Sequence, residues 1–218
     1  RNVVAAADTL PHDRLRAHDT YRNKFDPHVW MNPVLWADVV RAVQKALTDT
    51  TPEHTATFAA NADAHVAEIE RLSAYAADAL ARIPEDQRVL VIAHDAFGYF
   101  GDQYGLEVLG IQGISTESEA GLNRIAALVD TLVSRRIRAV FVESSVSDRN
   151  MRALIEGAAA RGHRVEIGGE LYSDAMGRDG SYEGTYIGML DHNVTVIAAA
   201  LGADVPPRGM DGKLSAGI

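Results

Sequence analysis

Three short strings hold the side chains best suited to chemistry in this 218-residue sequence: Asp26-Pro27-His28-Val29-Trp30, Ala93-His94-Asp95-Ala96-Phe97-Gly98-Tyr99-Phe100 and Gly168-Gly169-Glu170-Leu171-Tyr172-Ser173-Asp174-Ala175-Met176-Gly177. Two imidazoles, His28 and His94, and the carboxylate of Asp174 make a nitrogen-and-oxygen donor set that suits zinc, manganese or iron(II). The sequence contains no cysteine. Thiolate zinc sites, iron–sulfur clusters, cysteine nucleophiles and disulfides are therefore excluded together. Each residue also has an ordinary reading: a lone histidine is more often a surface or hydrogen-bonded group than a ligand, and a lone Asp in a loop is usually a turn residue or cap. The six other histidines, His12, His18, His54, His65, His163 and His192, stand in polar contexts and read as solvated.

The elements that must position these groups follow from the hydrophobic pattern. Residues 2–30 have little periodicity and hold Pro11 and Pro27, which suggests loop with a short strand at Val3–Ala6. From Asn32 to Ala46 the apolar positions recur at helical spacing, with Asn32 as N-cap and Pro33 at the first helical position. Residues 51–83 carry the longest pattern, Phe58, Ala62, Val66, Ile69, Leu72, Tyr75, Ala76, Ala79 and Leu80 marking one face. A helix of about 30 residues would be roughly 45 Å long, enough to run along two lobes; two ordinary helices with a break are the alternative.

After Pro84 four short apolar runs, at 89–92, 108–111, 139–142 and 165–167, alternate with helical stretches near 96–104, 119–135, 148–161 and 182–201. This alternation predicts an α/β fold with βαβ crossovers and a mostly parallel sheet. Ligands in such sheets sit at the carboxyl ends of the strands. His94 follows one strand directly, Asp174 follows another by one loop, and His28 precedes a helix on the opposite lobe. Gly168-Gly169 lacks the spacing of a dinucleotide loop and reads as a strand-exit turn. The end of the chain, with Pro206-Pro207 and no helical pattern, reads as a loose tail.

Acidic residues outnumber basic ones, 30 to 21, for a formal charge of −9. That balance argues against broad phosphate-backbone binding, so no nucleic-acid partner is expected. No apolar run reaches the 18 or so residues of a membrane span. Composition near the globular average rules out disorder and fibrous repetition. The sequence opens Arg1-Asn2-Val3-Val4, which reads as a product whose leader was removed or as numbering that begins inside a longer protein.

Six strings then occur in order: Asp26-Pro27-His28-Val29-Trp30; His94-Asp95-Ala96-Phe97-Gly98-Tyr99-Phe100; Gly113-Ile114-Ser115-Thr116-Glu117-Ser118-Glu119-Ala120; Phe141-Val142-Glu143-Ser144-Ser145; Ser173-Asp174-Ala175-Met176-Gly177; and Glu183-Gly184-Thr185-Tyr186. With them the chain, from about residue 2 to residue 201, resembles the metal-binding solute receptors of ABC transporters for zinc and manganese, the cluster A-I or TroA-like family. The resemblance implies two α/β lobes joined by one long backbone helix, with residues 1–50 as the remainder of an amino-terminal lobe, 51–84 as the joining helix, 85–202 as the carboxy-terminal lobe and 203–218 as a flexible tail. It implies a metal between the lobes, held by His28, His94 and Asp174. The family's first histidine belongs to an upstream segment that this sequence does not contain, and a lobe so shortened would favour self-association.

Glu143, Asp26 and Asp95 are candidates to orient the imidazoles, since metal-bound histidines usually donate their second N–H to a carboxylate or carbonyl. For Glu143 a buried pair with Arg149 or backbone amides is the competing role. The resemblance implies an extracytoplasmic receptor that captures Zn2+ or Mn2+ and delivers it to an ABC permease in the membrane, by capture and not by catalysis. The imidazole at 94 tilts the site toward zinc and the carboxylate at 174 toward manganese. Two alternatives stand beside this: a metallohydrolase using the same His/His/Asp site, with Glu170 or Asp95 as base, and a surface adhesin with a secondary metal site. No Gly-x-Ser-x-Gly elbow accompanies Ser144 and Ser145, which argues against a serine hydrolase.

Overall fold

The computed structural model describes residues 3–18, 21–114 and 121–217; Ser115–Ala120 of the third string lie outside them. Helix α1 spans Pro33–Thr50 and α2 spans Thr55–Ala81. Strand β1 (Val89–His94) is followed by α3 (Gly98–Tyr104), β2 (Glu107–Gln112), α4 (Leu122–Arg135), β3 (Ala139–Glu143), α5 (Arg149–Ala160), β4 (Glu166–Leu171) and α6 (Tyr186–Ala200). This is the expected α/β alternation. The strands form two parallel ladders, β1 with β2 and β3 with β4, and β1 lies beside β3.

Strand β1 is buried along its whole length, as its unbroken Val-Leu-Val-Ile-Ala run requires of a parallel strand covered on both faces. Period-two alternation sorts its side chains. Leu90 and Ile92 face a core shared with Leu72, Ala76 and Leu80 of α2, Phe141 of β3 and Val194 and Ile197 of α6. Val89 and Val91 face the other way, onto Leu128 and Leu132 of α4 and Met151 and Leu154 of α5. A third, smaller cluster packs Leu10, Val29 and Tyr99 against Leu35 and Val39 of α1.

The start of α1 is as the sequence predicts: the Asn32 side chain accepts from Val34 N and Leu35 N at 2.9 and 3.3 Å, and Pro33 occupies the first turn. After a 3-10 turn at Pro52–His54, α2 runs unbroken for 27 residues, about 40 Å at 1.5 Å per residue. The alternative with a break is not what forms.

Three expectations need correction. No strand forms at Val3–Ala6; a 3-10 turn occupies Ala6–Thr9, and the local bridge is Ala17 with Phe25. Gly168-Gly169 is not a strand exit, because β4 continues through it to Leu171. The ladder shifts register there, Val140 pairing with Ile167 and Phe141 with Gly169. A Cβ at Gly168 would lie 2.7 Å from Ala200 Cβ, and one at Gly169 would lie 2.4 Å from Val196 Cγ1. The glycines therefore let α6 approach the strand, a close-packing role and not a turning one. Finally, the segment after Asp204 has no helix or strand but is not loose. Leu214 is fully buried, Met210 N donates to Asp191 at 2.9 Å, Arg208 donates to Leu214 O, and Arg71 of α2 pairs with Asp211 at 2.8 Å.

Candidate metal centre

The site assembles where three strands end and one helix begins. His94 is the last residue of β1, and Glu143 is the last residue of the adjacent β3. Asp174 follows the end of β4 by three residues. His28 comes from the other direction, immediately before the 3-10 turn Val29–Met31 that leads into α1. Met31 N donates to His28 O at 3.1 Å, and Tyr99 of α3 donates its hydroxyl to Asp26 O at 2.9 Å, so the backbone around His28 is fixed on both sides.

The structure brings the three candidates together. One donor atom from each of His28, His94 and Asp174 lies within 4.8 Å of the other two. His28 Nε2 is 3.5 Å from Asp174 Oδ1, and His94 Nε2 is 3.5 Å from Asp174 Oδ2. The imidazole rings meet edge-on, with centroids 5.5 Å apart. A zinc ion about 2.0 Å from each of three tetrahedral ligands would hold them roughly 3.3 Å apart. The two 3.5 Å contacts, one to each oxygen of Asp174, are near that spacing, whereas donors separated by as much as 4.8 Å would have to close further.

Both rings are oriented from behind by a buried carboxylate. Asp26 Oδ1 lies 2.6 Å from His28 Nδ1 and also accepts the His28 backbone N–H at 3.0 Å. Glu143 Oε2 lies 2.6 Å from His94 Nδ1, off the line of an ideal hydrogen bond, and Oε1 accepts the His94 backbone N–H at 2.8 Å. Glu143 thus faces His94 and not Arg149. With each Nδ1 facing a carboxylate, each Nε2 is left to point at the shared centre. His94 Nε2 is buried and has no hydrogen-bond partner among the described residues. An orphaned buried acceptor costs free energy unless something fills its position.

Charge is arranged unevenly. His28 and His94 are buried, whereas the Asp174 side chain is 40% exposed. Burial works against the charged form of His94, but its contact with Glu143 and the charges of Glu143, Asp174 and Asp95 outweigh that, and its pKa is raised above the ordinary value. Asp95 enters the site through this charge; its backbone N–H donates to Gly113 O. Asp174 also lines a cavity of about 460 Å3 with Trp30, Trp36, His65, Met176 and Tyr186, so the cluster's outward side is open to incoming solute.

The sequence reading passed over the clamps. Trp30 Nε1 donates to Ser173 O at 3.0 Å, and the Tyr186 hydroxyl donates to Trp30 O at 2.9 Å. Together they bind the His28 segment to the Asp174 loop and to α6. Their one signal was an aromatic residue inside each quoted string. Four histidines read as solvated, His18, His65, His163 and His192, are half-buried instead; His163 Nε2 contacts Ile137 O at 2.6 Å, and His192 Nε2 contacts Glu170 O at 2.9 Å. Glu170, nominated as a hydrolytic base, is exposed on β4.

Comparison with known proteins gives concordant matches. The family model described as "ZnuA: Zinc-uptake complex component A periplasmic" matches residues 1–200. The manganese-binding lipoprotein MntA of Bacillus subtilis (strain 168) is 45% identical over 201 residues, covering 92% of this chain and 65% of the relative. The zinc-binding protein TroA of Treponema pallidum (strain Nichols) is 45% identical over 202 residues, with the same coverage of 92% and 65%. The solved structure of the periplasmic zinc-binding protein TroA from Treponema pallidum superposes with a TM-score of 0.88 at 44% identity, covering 92% of this chain and 72% of that one. The chain thus spans about 65% of the length of these two curated relatives.

Proposed function

Because the chain belongs to the ZnuA family of metal-binding proteins, we propose that it takes part in capturing a divalent transition metal, zinc or manganese, outside the cytoplasm and handing it to an ABC permease. The metal is cargo. His28, His94 and Asp174 are its ligands in this chain, and Asp26 and Glu143 fix the two imidazoles so that Nε2 faces the ion. The observation that carries this reading is the pair of buried, carboxylate-backed rings converging on one carboxylate, with His94 Nε2 left without a hydrogen-bond partner among the described residues.

The lobes divide at α2: residues 1–50 on the amino-terminal side, 85–202 on the other, with 51–84 as the connection. His28 then belongs to one lobe and His94 and Asp174 to the other, so a bound ion would bridge the two lobes. The two relatives are named for manganese and for zinc. The two-imidazole donor set favours zinc and the carboxylate moderates that preference. No helix among the described residues is long and apolar enough to cross a membrane, in keeping with a separate permease. The exposed Val34, Val43 and Leu47 of α1 support self-association of the chain, which sedimentation against concentration tests.

Calorimetric titration with zinc and with manganese tests the assignment. The chain should bind at one site, and His94→Ala and Asp174→Ala should each weaken binding by at least tenfold. Unchanged affinity in both variants would refute the receptor reading. Metal-dependent turnover of an ester or amide would move it to the hydrolase.

A further inference from the structure

The string Glu183-Gly184-Thr185-Tyr186 has no direct contact with the three donors, yet Glu183 is buried at 4% exposure and its carboxylate reaches the end of the chain. Ser215 donates both its backbone N–H and its hydroxyl to Glu183 Oε1, at 2.6 and 2.8 Å. The Glu183 backbone oxygen accepts from Gly177 N at 2.8 Å. A Cβ at Gly177 would lie 2.6 Å from Glu183 Cβ, so the glycine lets these two positions clasp directly. Gly177 is three residues beyond Asp174.

The Asp174 loop is therefore held at two points. On its amino-terminal flank, Ser173 is gripped by Trp30 Nε1 and, at 3.1 Å, by the Ser145 hydroxyl. On its carboxy-terminal flank, Gly177 is clasped to Glu183, and Glu183 is held by Ser215. Ser215 in turn belongs to a strap that is itself fastened. Leu214 beside it is fully buried, Met210 N donates to Asp191, and Asp211 pairs with Arg71. Between the two fixtures only Asp174, Ala175 and Met176 are exposed. Asp174 is the one proposed ligand not backed by a buried carboxylate, so the placement of its loop replaces the orientation that Asp26 and Glu143 give the imidazoles.

We propose that Glu183 is a positioning residue for the metal site: through Ser215 it latches the carboxy-terminal strap to the Asp174 loop and so sets where the Asp174 carboxylate stands. This rests on the reading of His28, His94 and Asp174 as a metal site. The latch makes the last residues of the chain, remote in sequence, a determinant of metal affinity. A partner that lifts the strap would loosen the carboxylate while leaving the imidazoles in place.

A double-mutant cycle on the 218-residue chain, with zinc ion as the probe and a competing chelating dye as the readout, separates this from general loosening. Glu183→Ala should weaken zinc binding about tenfold, the range of losses seen when an outer partner of a metal ligand is removed. In an Asp174→Asn background the same substitution should change affinity less than about twofold, because its action passes through Asp174. Glu183→Gln keeps an acceptor oxygen for both Ser215 donors and should restore affinity to near the parent value. A chain ending at Leu214 removes those donors from the other side while retaining the buried anchor, and should reproduce Glu183→Ala; it carries the cycle if Glu183→Ala does not fold. A silent Glu183→Ala and a silent truncation overturn the latch, as does an equal loss in both backgrounds. Asp174→Asn without effect on zinc binding overturns the metal reading itself, a result distinguishable from failure of the latch alone.

Discussion

Replacing Glu143 by Gln tests the site at the point where its geometry is most demanding. Both carboxylate oxygens face donors on the same residue: Oε1 accepts the His94 backbone N–H at 2.8 Å, and Oε2 sits 2.6 Å from His94 Nδ1. A carboxylate accepts at both positions, but a carboxamide offers one acceptor and one donor. If the amide oxygen keeps the backbone N–H, its NH2 faces Nδ1, and the ring proton must move to Nε2, where the metal binds. If the amide turns over, its NH2 meets the backbone N–H instead. Either arrangement leaves one buried mismatch, worth about 1–3 kcal/mol, or about 5- to 150-fold in affinity when it falls on the metal-bound state. Loss of outer-shell carboxylates elsewhere gives about 10- to 100-fold, so the two routes agree.

The assay is zinc titration against a competing chelator, well above pH 6.5, with ring-nitrogen NMR to identify the tautomer. High pH matters because removing the Glu143 charge lowers the raised pKa of His94. Near neutrality that would relieve proton competition and mask part of the loss. The expected result is weaker binding together with a proton moved to Nε2, or weaker binding with the tautomer unchanged if the amide has turned. Affinity within twofold of the parent, in a folded variant, would refute the argument that Glu143 prepares His94 for a metal.

Three further outcomes follow from the same contacts. Zinc at 100 times its dissociation constant should stabilise the parent chain by about 2.7 kcal/mol; thermal unfolding of Asp174→Ala at the same zinc concentration should show that gain cut to about 1.4 kcal/mol or less. Gly169→Ala places a methyl 2.4 Å from Val196 Cγ1 and should cost about 1–3 kcal/mol by overpacking; denaturant unfolding that matches the parent would contradict the close-approach role. Asp191 is buried, and burial raises its pKa even though Met210, Tyr182 and Thr195 donate to it and pull the other way. A raised carboxyl pKa in the folded chain stabilises fully below the unfolded value, and that contribution is lost as pH rises through the folded value. The stability of the parent minus that of Asp191→Asn should therefore fall as pH rises above the ordinary carboxyl value, and a difference that rises with pH would reverse the sign of the argument.

What the sequence disclosed depended on the range of the interaction. Asn32-Pro33 and the 51–83 stripe are local codes, a cap and a helical period, and α1 and α2 follow them closely. The Gly168-Gly169 pair was misread because its meaning lies 27 residues or more away, in the side chains of Val196 and Ala200. The segment after Asp204 was misread for a related reason. Its anchors are hydrogen bonds to Asp191 and Glu183, an ion pair with Arg71 and one buried leucine, none of which makes a period. Residue type and the place of His94 at a strand end only made the three donors candidates, and the family resemblance singled them out; the partners that aim them were not legible. Glu143 faces His94 because β3 lies beside β1, and Trp30 grips Ser173 because α1's entry turn meets the loop after β4. Those are facts of tertiary structure.

On the proposed reading, the uneven burial of the three donors separates the two halves of metal handling. His28 and His94 are fixed before any ion arrives: their rings are buried, each Nδ1 is set by a carboxylate, and moving either would break a contact of 2.6 Å. Asp174 is 40% exposed on a loop, touches both rings only at 3.5 Å, and opens onto the aromatic-lined cavity. An ion bound as proposed would meet two prepared nitrogens and one more exposed carboxylate, so the closing bond would be the one to Asp174. The same bond is the first to break in release, because the carboxylate can return to water while the imidazoles cannot. Substitutions in the loop and its fastenings should then weaken affinity chiefly by raising the rate at which the metal leaves.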